Sequence, residues 1–177
     1  CRERDAMFDT PPPIPRLQRA QGAAAVAVSR RGGRTRLDAL RQQGCAKAFL
    51  PRAGLSGAAA PEIVFLNTSG GLTGGDALDY RIDVGPGASA VATTQTAERA
   101  YAAPDGAASA HLRVDATVGA GGRLDWLPQE TILFDAAHLE RHTDIALAGD
   151  ATLLTCEALV LGRAAMGETV GRLSLFD

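Results

Sequence analysis

The chain has 177 residues, of which 46% are hydrophobic and only 5% aromatic, and its formal net charge is −2. This length fits a single domain whose core is built mainly from Ala, Val, Leu and Ile. The near-neutral charge argues against a protein that binds nucleic acid through bulk positive charge. The apolar runs are shorter than a membrane span, and the charged start Arg2–Asp5 is unlike a signal peptide.

The first 16 residues differ in composition from the rest. Pro11, Pro12, Pro13 and Pro15 disfavour both a helix and a central strand. We therefore expect an extended or disordered leader at 1–16 and a single all-β domain over 17–177. Because the sequence does not begin with Met, we expect the natural start to lie upstream. The alternating pattern at 171–177 stops without a terminating element, so we also expect a truncated C-terminus.

Short runs with a period of two residues fill the chain after the leader. The clearest places Leu78, Tyr80, Ile82 and Val84 on one face and charged residues on the other. Similar strands are expected at 34–39, 44–50, 63–66, 88–96, 112–118, 124–126 and 145–147, the first of them half-buried. The mostly apolar stretch 151–161 predicts a segment buried on both faces.

Turn signals separate these runs, and an ordinary helix is hard to place before residue 150. The sequence shows no repeat of fixed period, so it does not indicate a regular solenoid. These features predict an all-β fold. The three cysteines, Cys1, Cys45 and Cys156, are widely spaced, which fits a reducing compartment and a cytoplasmic location.

The glycine-rich stretch 66–76, Leu-Asn-Thr-Ser-Gly-Gly-Leu-Thr-Gly-Gly-Asp, follows an apolar strand and precedes the clearest one. It lacks the Gly-Lys-Ser/Thr ending of a phosphate-binding loop and the Gly-x-Gly-x-x-Gly of a dinucleotide site. One interpretation is a tight strand connection in which Asp76 satisfies turn amides. The other is a loop that another chain or a ligand approaches closely, formed by Ser69, Gly70, Gly71, Gly74 and Gly75.

The patterns of common catalytic and metal sites are incomplete. His138, Glu140, His142 and Asp144 would share one face of a strand, and a solvent-facing polar row explains them best. A zinc His-Glu-x-x-His motif and a Gly-x-Ser-x-Gly nucleophile elbow are both absent. The sequence therefore indicates no catalytic residues.

Several carboxylates occur in apolar surroundings. Glu130 and Asp135 bracket the run 131–134, Glu157 lies within an apolar stretch, and Glu168 lies close to Gly167. An ionised carboxylate in a dry core costs several kcal/mol, so each must pair with arginine, be hydrated or face a cation. Two functional interpretations remain open: a carboxylate pair for sugar hydrolysis, or a hydrated acidic passage for a divalent metal.

Four motifs, in order along the chain, resemble the urease accessory protein UreD (UreH) family. They are Asn67–Asp76, Thr93–Gln95, Trp126–Asp135 and the segment Leu161–Glu168 with its Leu-Gly-Arg and Met-Gly-Glu. The resemblance implies an irregular, β-helix-like fold. It also implies a non-catalytic scaffold that binds UreF, through it the GTPase UreG, and the urease apoprotein. In such a protein Ni²⁺ passes transiently through an internal channel, and no tightly bound cofactor, nucleic acid or membrane is expected.

Taken with this resemblance, the carboxylates suggest a specific hypothesis. Asp76, Glu130, Asp135 and Glu168 would line a hydrated internal passage, because oxygen ligands hold Ni²⁺ less tightly than imidazole or thiolate clusters. The two rival interpretations are a β-helical glycoside hydrolase that uses two carboxylates, and a pure protein adaptor without a role in metal transfer.

Overall fold

A computed structural model describes residues 18–51 and 60–177, so the expected leader at 1–16 lies outside the described residues. Strands dominate this part of the chain, and its one helix is the short 3-10 segment Ala164–Met166. The predicted all-β fold is confirmed. The described part contains no helix with the length and apolarity needed to cross a membrane.

The strands form three sheets, with the following members in spatial order. The first sheet contains β14 (Ser174–Phe176), β11 (His138–Leu147), β8 (Ala110–Val118), β5 (Ala77–Val84), β1 (Gln21–Arg31) and β2 (Arg34–Gly44). The second contains β12 (Thr152–Thr155), β9 (Arg123–Trp126), β6 (Ser89–Thr94), β4 (Glu62–Asn67) and β3 (Ala46–Phe49). The third contains β13 (Leu159–Leu161), β10 (Thr131–Leu133) and β7 (Glu98–Ala100).

The chain winds through the three sheets in turn and so builds a β-helix. Strands β5, β6 and β7 form one complete rung, β8, β9 and β10 the next, and β11, β12 and β13 the one after. Equivalent strands of successive rungs pair in parallel, whereas β2 and β3 pair antiparallel with their neighbours. The three sheets therefore surround a common interior, here called the lumen.

Alternation along each strand decides which side chains fill the lumen. In β5, Leu78, Tyr80, Ile82 and Val84 are buried, as the sequence pattern predicts. Parallel register stacks the inward residues of successive rungs: Tyr80 pairs with Val114, which pairs with Thr143. The interior is thus a set of rows that run from rung to rung.

Unequal rung lengths explain why the sequence shows no fixed repeat. Ala77 pairs with His111, 34 residues later, whereas Ala110 pairs with Leu139, 29 residues later. The loops absorb the difference. A β-helix tolerates such variation because only the strand positions must stack.

The prediction that 151–161 is buried on both faces is wrong. Leu154, Leu159 and Leu161 are 48%, 44% and 63% exposed. Among the described residues, strands β12 and β13 each pair on one side only, with β9 and β10, so their other edges carry no neighbouring strand there. The segment at 34–39 does form a strand, but β2 lies at a sheet edge, and its residues Leu37 and Leu40 are exposed rather than half-buried.

This difference between inner and edge rungs is testable by substitution. Leu124→Ala in β9 removes a side chain with 0% exposure, and we expect it to lower the free energy of unfolding by about 2–5 kcal/mol. Leu154→Ala in β12 is the matched control and should cost less than about 1 kcal/mol. Urea denaturation measures both, and equal losses would contradict the assigned burial.

Candidate functional site

The glycine-rich loop lies at a corner of the β-helix, and its hydrogen bonds orient a side chain that contacts Glu98 in the lumen. Asn67 ends β4, and its Oδ1 accepts hydrogen bonds from the backbone N–H of Ser69 at 3.0 Å and from Ser69 Oγ at 2.6 Å. Ser69 Oγ also lies 2.9 Å from the Gly71 carbonyl oxygen. These contacts fix the orientation of the Asn67 amide, so that its Nδ2 group is directed toward Glu98 in β7.

Two glycines of the loop are needed for packing within the chain. A Cβ at Gly71 would lie 2.4 Å from a ring carbon of Tyr101, and one at Gly74 would lie 2.6 Å from the Ala108 carbonyl oxygen. Gly70 is exposed and Gly75 half-buried. At Gly71 and Gly74 the close approach is therefore made by the protein's own backbone and side chains. A role of Ser69–Gly75 in partner contact stays a prediction.

Asp76 closes the loop as a buried acceptor. One carboxylate oxygen accepts a 2.8 Å hydrogen bond from the backbone N–H of Ala20, and the other accepts one of equal length from that of Thr73. Asp76 is 4% exposed. This geometry matches the interpretation that Asp76 satisfies turn amides, and it ties the loop to the residues before β1.

Asp135 and Glu168 meet at another corner. Asp135 Oδ1 accepts hydrogen bonds from the backbone N–H groups of Gly171 and Arg172 at 2.7 and 2.9 Å, which hold the Asp135 pKa below its usual value. Glu168 pairs with Arg163 at 2.8 Å and accepts a 3.2 Å bond from the Asp135 N–H, and its pKa is also lowered. Both carboxylates are thus already engaged within the protein.

The structure does not bring the four predicted carboxylates into one cluster. Asp135 and Glu168 are neighbours, whereas Asp76 lies in the glycine-rich loop. Glu130 is half-buried before β10, and its carbonyl oxygen accepts a 3.0 Å hydrogen bond from the Glu98 N–H. Within residues 18–51 and 60–177, no group of three or more His, Cys, Asp or Glu side chains is arranged to hold a metal ion.

A polar ring inside the lumen was missed from the sequence. Tyr80 in β5, Thr94 in β6 and Glu98 in β7 belong to one rung, and each of the three sheets supplies one of them. All three side chains line two small cavities, each with about 30 Å³ of space accessible to water. That volume suits about two water molecules. We call Tyr80, Thr94 and Glu98 the lumen ring.

Glu98 is held by neutral donors. Asn67 Nδ2 lies 3.2 Å from both Glu98 oxygens, and the Arg99 backbone N–H donates to Oε1 at 3.0 Å. Burial raises the pKa of the Glu98 carboxyl, and the two hydrogen bonds and the charge of Arg99 only partly oppose this effect. Burial, with a contribution from the Glu98 charge, also raises the pKa of Tyr80.

The cavity beyond the lumen ring ends at a second charged group. Arg141, in β11, pairs with Glu157 at 3.0 Å, and the Trp126 indole N–H donates to Glu157 at 3.1 Å. Glu157 is thus paired with an arginine, one of the arrangements expected from its apolar sequence context. Thr143 lines the same cavity, and its Oγ1 is buried without a hydrogen-bond partner in the described part of the chain.

Asp76→Ala tests the structural role of that carboxylate. The change leaves two backbone N–H groups without their acceptor, so we expect a loss of about 2–4 kcal/mol in the free energy of unfolding. Asp79→Ala, at an exposed position of β5, is the control and should change it by less than about 0.5 kcal/mol. Chemical denaturation reports both values, and a neutral Asp76→Ala would refute the assigned bonds.

The raised pKa of Glu98 predicts a pH dependence of stability. The folded state holds this proton more tightly than the unfolded state, so the stabilisation is complete below the ordinary value of 4.5 and is lost as pH rises through the raised value. Glu98→Gln removes this loss. The stability of the variant relative to wild type should therefore increase above pH 4.5 and then level off, as measured by urea denaturation across pH. If the difference in stability between Glu98→Gln and wild type did not change with pH, this would contradict the raised pKa of Glu98.

Comparison with known proteins places this architecture in a family. The sequence model of the family described as UreD urease accessory protein matches residues 20–177. The urease accessory protein UreD of Cereibacter sphaeroides strain ATCC 17025 is 60% identical over 166 residues, which cover 94% of this chain and 58% of that protein. The UreD proteins of Dinoroseobacter shibae and Paracoccus denitrificans are 56% and 55% identical, with 92% and 97% of this chain and 57% and 58% of theirs covered.

The chain thus spans a little over half the length of these curated relatives. The match of the family model extends from just before β1 through β14 and includes the glycine-rich loop and all three strands of the lumen ring. The chain belongs to the UreD urease accessory protein family.

Proposed function

We propose that the protein is a non-catalytic scaffold of urease maturation, which joins urease apoprotein to a UreF–UreG complex and assists nickel delivery. Membership of the UreD family is the observation that carries this proposal. The relatives are urease accessory proteins, a name that identifies urease as the enzyme that they serve. UreF and UreG are included because the resemblance to the UreD family implies them as partners.

A route through the lumen suits nickel transfer better than a fixed metal site. Among residues 18–51 and 60–177, no group of three or more His, Cys, Asp or Glu side chains is arranged to hold a metal ion. Carboxylate and hydroxyl oxygens are weaker Ni²⁺ ligands than imidazole or thiolate, so a cation that meets them singly is released readily. The cavities flanking Glu98 supply such single contacts.

Of the four predicted metal contacts, Glu130 is the one whose carboxylate makes no hydrogen bond or ion pair among the described residues. Its backbone carbonyl accepts a hydrogen bond from the N–H of Glu98 on the neighbouring rung. Its side chain is not among those that line the two cavities at the lumen ring. Metal contact at Asp76, Asp135 or Glu168 requires the ion to displace backbone or arginine donors. Their role in nickel passage remains part of the proposal, with Glu130 as the first position to test.

The glycoside hydrolase alternative receives less support. Such enzymes need one carboxyl with a raised pKa beside an ionised partner, and a site that accommodates a sugar ring. The neighbouring pair Asp135 and Glu168 has both pKa values lowered. The raised pKa belongs to Glu98, whose two flanking cavities hold about two waters each, which is too little space for a sugar ring.

Co-expression tests the proposal. Urease subunits produced with UreF, UreG and this protein at limiting nickel should contain nickel and hydrolyse urea, and omission of this protein should reduce both. Glu130→Gln should reduce the nickel content while the complex still co-purifies. The exposed Glu62→Gln in β4 is the matched control and should behave as wild type.

Two outcomes separate the alternatives. Equal nickel content with and without the protein would refute a role in urease maturation. Normal nickel transfer by variants at Glu130, Asp76, Asp135 and Glu168, with the complex intact, would leave the pure adaptor as the function. Hydrolysis of a glycoside by the purified protein alone would favour the enzyme alternative.

A further inference from the structure

Glu98 has an environment that a purely structural carboxylate rarely occupies. It projects from the three-residue strand β7 toward two small cavities, and its hydrogen bonds come from the Asn67 amide and one backbone N–H. Arg141, the buried charge on the far side of the second cavity, is paired with carboxylates, whereas Glu98 is half-buried and has no ion pair among the described residues. A half-buried charge whose hydrogen bonds all come from neutral donors is costly, which makes the side chain a candidate for a functional role.

The lumen ring is also where the interior is divided. The cavity on the side of the glycine-rich loop is lined by Asn67, Gly70 and Gly71, and the cavity on the other side by Trp126, Arg141 and Thr143. Tyr80, Thr94 and Glu98 line both. Any species that moves along the lumen between the loop and the Arg141–Glu157 pair therefore passes these three side chains.

The size of the cavities limits what can pass. A hydrated divalent cation carries several waters, each of which needs about 10–15 Å³ of water-accessible space, whereas each cavity offers about 30 Å³ of such space. The ion must lose most of its water ligands at this point. Replacement oxygens are then needed, and the ring supplies the Glu98 carboxylate together with the Tyr80 hydroxyl. Thr94 Oγ1 already accepts a 3.0 Å hydrogen bond from the Gln129 N–H and donates to the Thr96 carbonyl, so it lines the narrow point without a free hydroxyl hydrogen.

We propose that the lumen ring is the narrow point of the cation path, where Glu98 replaces water ligands of a partly dehydrated divalent cation. This inference rests on the proposed function, since it names the contact through which nickel would travel. Asn67 and Ser69 are positioning residues: Ser69 orients the Asn67 amide, and Asn67 holds both oxygens of Glu98. Residues of the glycine-rich loop thus position a carboxylate that lines the lumen.

The first test replaces Glu98 in the complete protein, co-expressed with urease, UreF and UreG. Glu98→Gln keeps the size of the side chain and removes its charge. The nickel concentration that gives half-maximal loading of urease should rise on the order of tenfold, equivalent to about 1.4 kcal/mol at the narrow point. Loading at saturating nickel and the amount of assembled complex should remain as in wild type. Glu62→Gln on β4 is the control.

Stability distinguishes this role from a structural one. Removing a desolvated charge should leave the melting temperature of the Glu98→Gln complex unchanged or higher, although nickel loading becomes less efficient. A lower melting temperature with unchanged half-maximal nickel would overturn the inference and make Glu98 a packing residue. If wild type itself does not promote loading, the proposed function fails; if wild type does and Glu98→Gln equals it, only the inference fails.

Asn67 supplies an independent second test. Asn67→Ala frees both Glu98 oxygens from their side-chain donor and should raise the half-maximal nickel concentration in the same direction as Glu98→Gln. The double variant should be no worse than Glu98→Gln alone, because Asn67 acts through Glu98. If the double variant showed the sum of the two single defects in nickel loading, Asn67 would not act through Glu98. Asn67→Gln, which retains the amide, should recover part of the loss.

Discussion

Parallel stacking of short strands is the constraint on which this structure depends. Because successive rungs pair in register, each inward side chain lies directly on its counterpart in the next rung. The lumen has little free volume, so its apolar rows pack tightly around Phe65, whose ring lies 4.6 Å from that of Tyr80 between centroids. A polar side chain in such a row must find a partner inside the wall or contact whatever enters the lumen.

The polar residues of the lumen illustrate both solutions. Arg141 pairs with both Glu157 and Asp177, and the Trp126 indole N–H donates a hydrogen bond to Glu157. Glu98 instead relies on Asn67, which in turn is oriented by Ser69. The conformation of the glycine-rich loop is therefore coupled to the position of the half-buried Glu98 carboxylate, although the loop itself contributes no charge there.

Local pattern was sufficient for much of the fold. The alternation of Leu78 to Val84 predicted both the strand and its buried face, and the turn signals predicted an all-β chain. The stacking of the rungs could not be predicted from the sequence, because rungs of different length leave no fixed repeat. The burial of 151–161 was misjudged for a related reason: composition reports how apolar a strand is, whereas its exposure depends on whether another rung lies beside it, as at Leu154.

Local sequence pattern predicted the candidate site less well than it predicted the fold. Asp76, Asp135 and Glu168 were predicted as metal contacts because they border glycines or apolar runs. In the structure, each carboxylate instead holds a turn of the chain through hydrogen bonds or an ion pair. Glu98 precedes Arg99, a pair of opposite charges typical of a solvated edge, and its strand is too short to show a period. One signal was present: Ala97 and Ala100 flank the pair with small side chains. Only the closure of three sheets around one interior turns Glu98 inward, so the residue that best fits a cation path is the one that local pattern assigns to the surface.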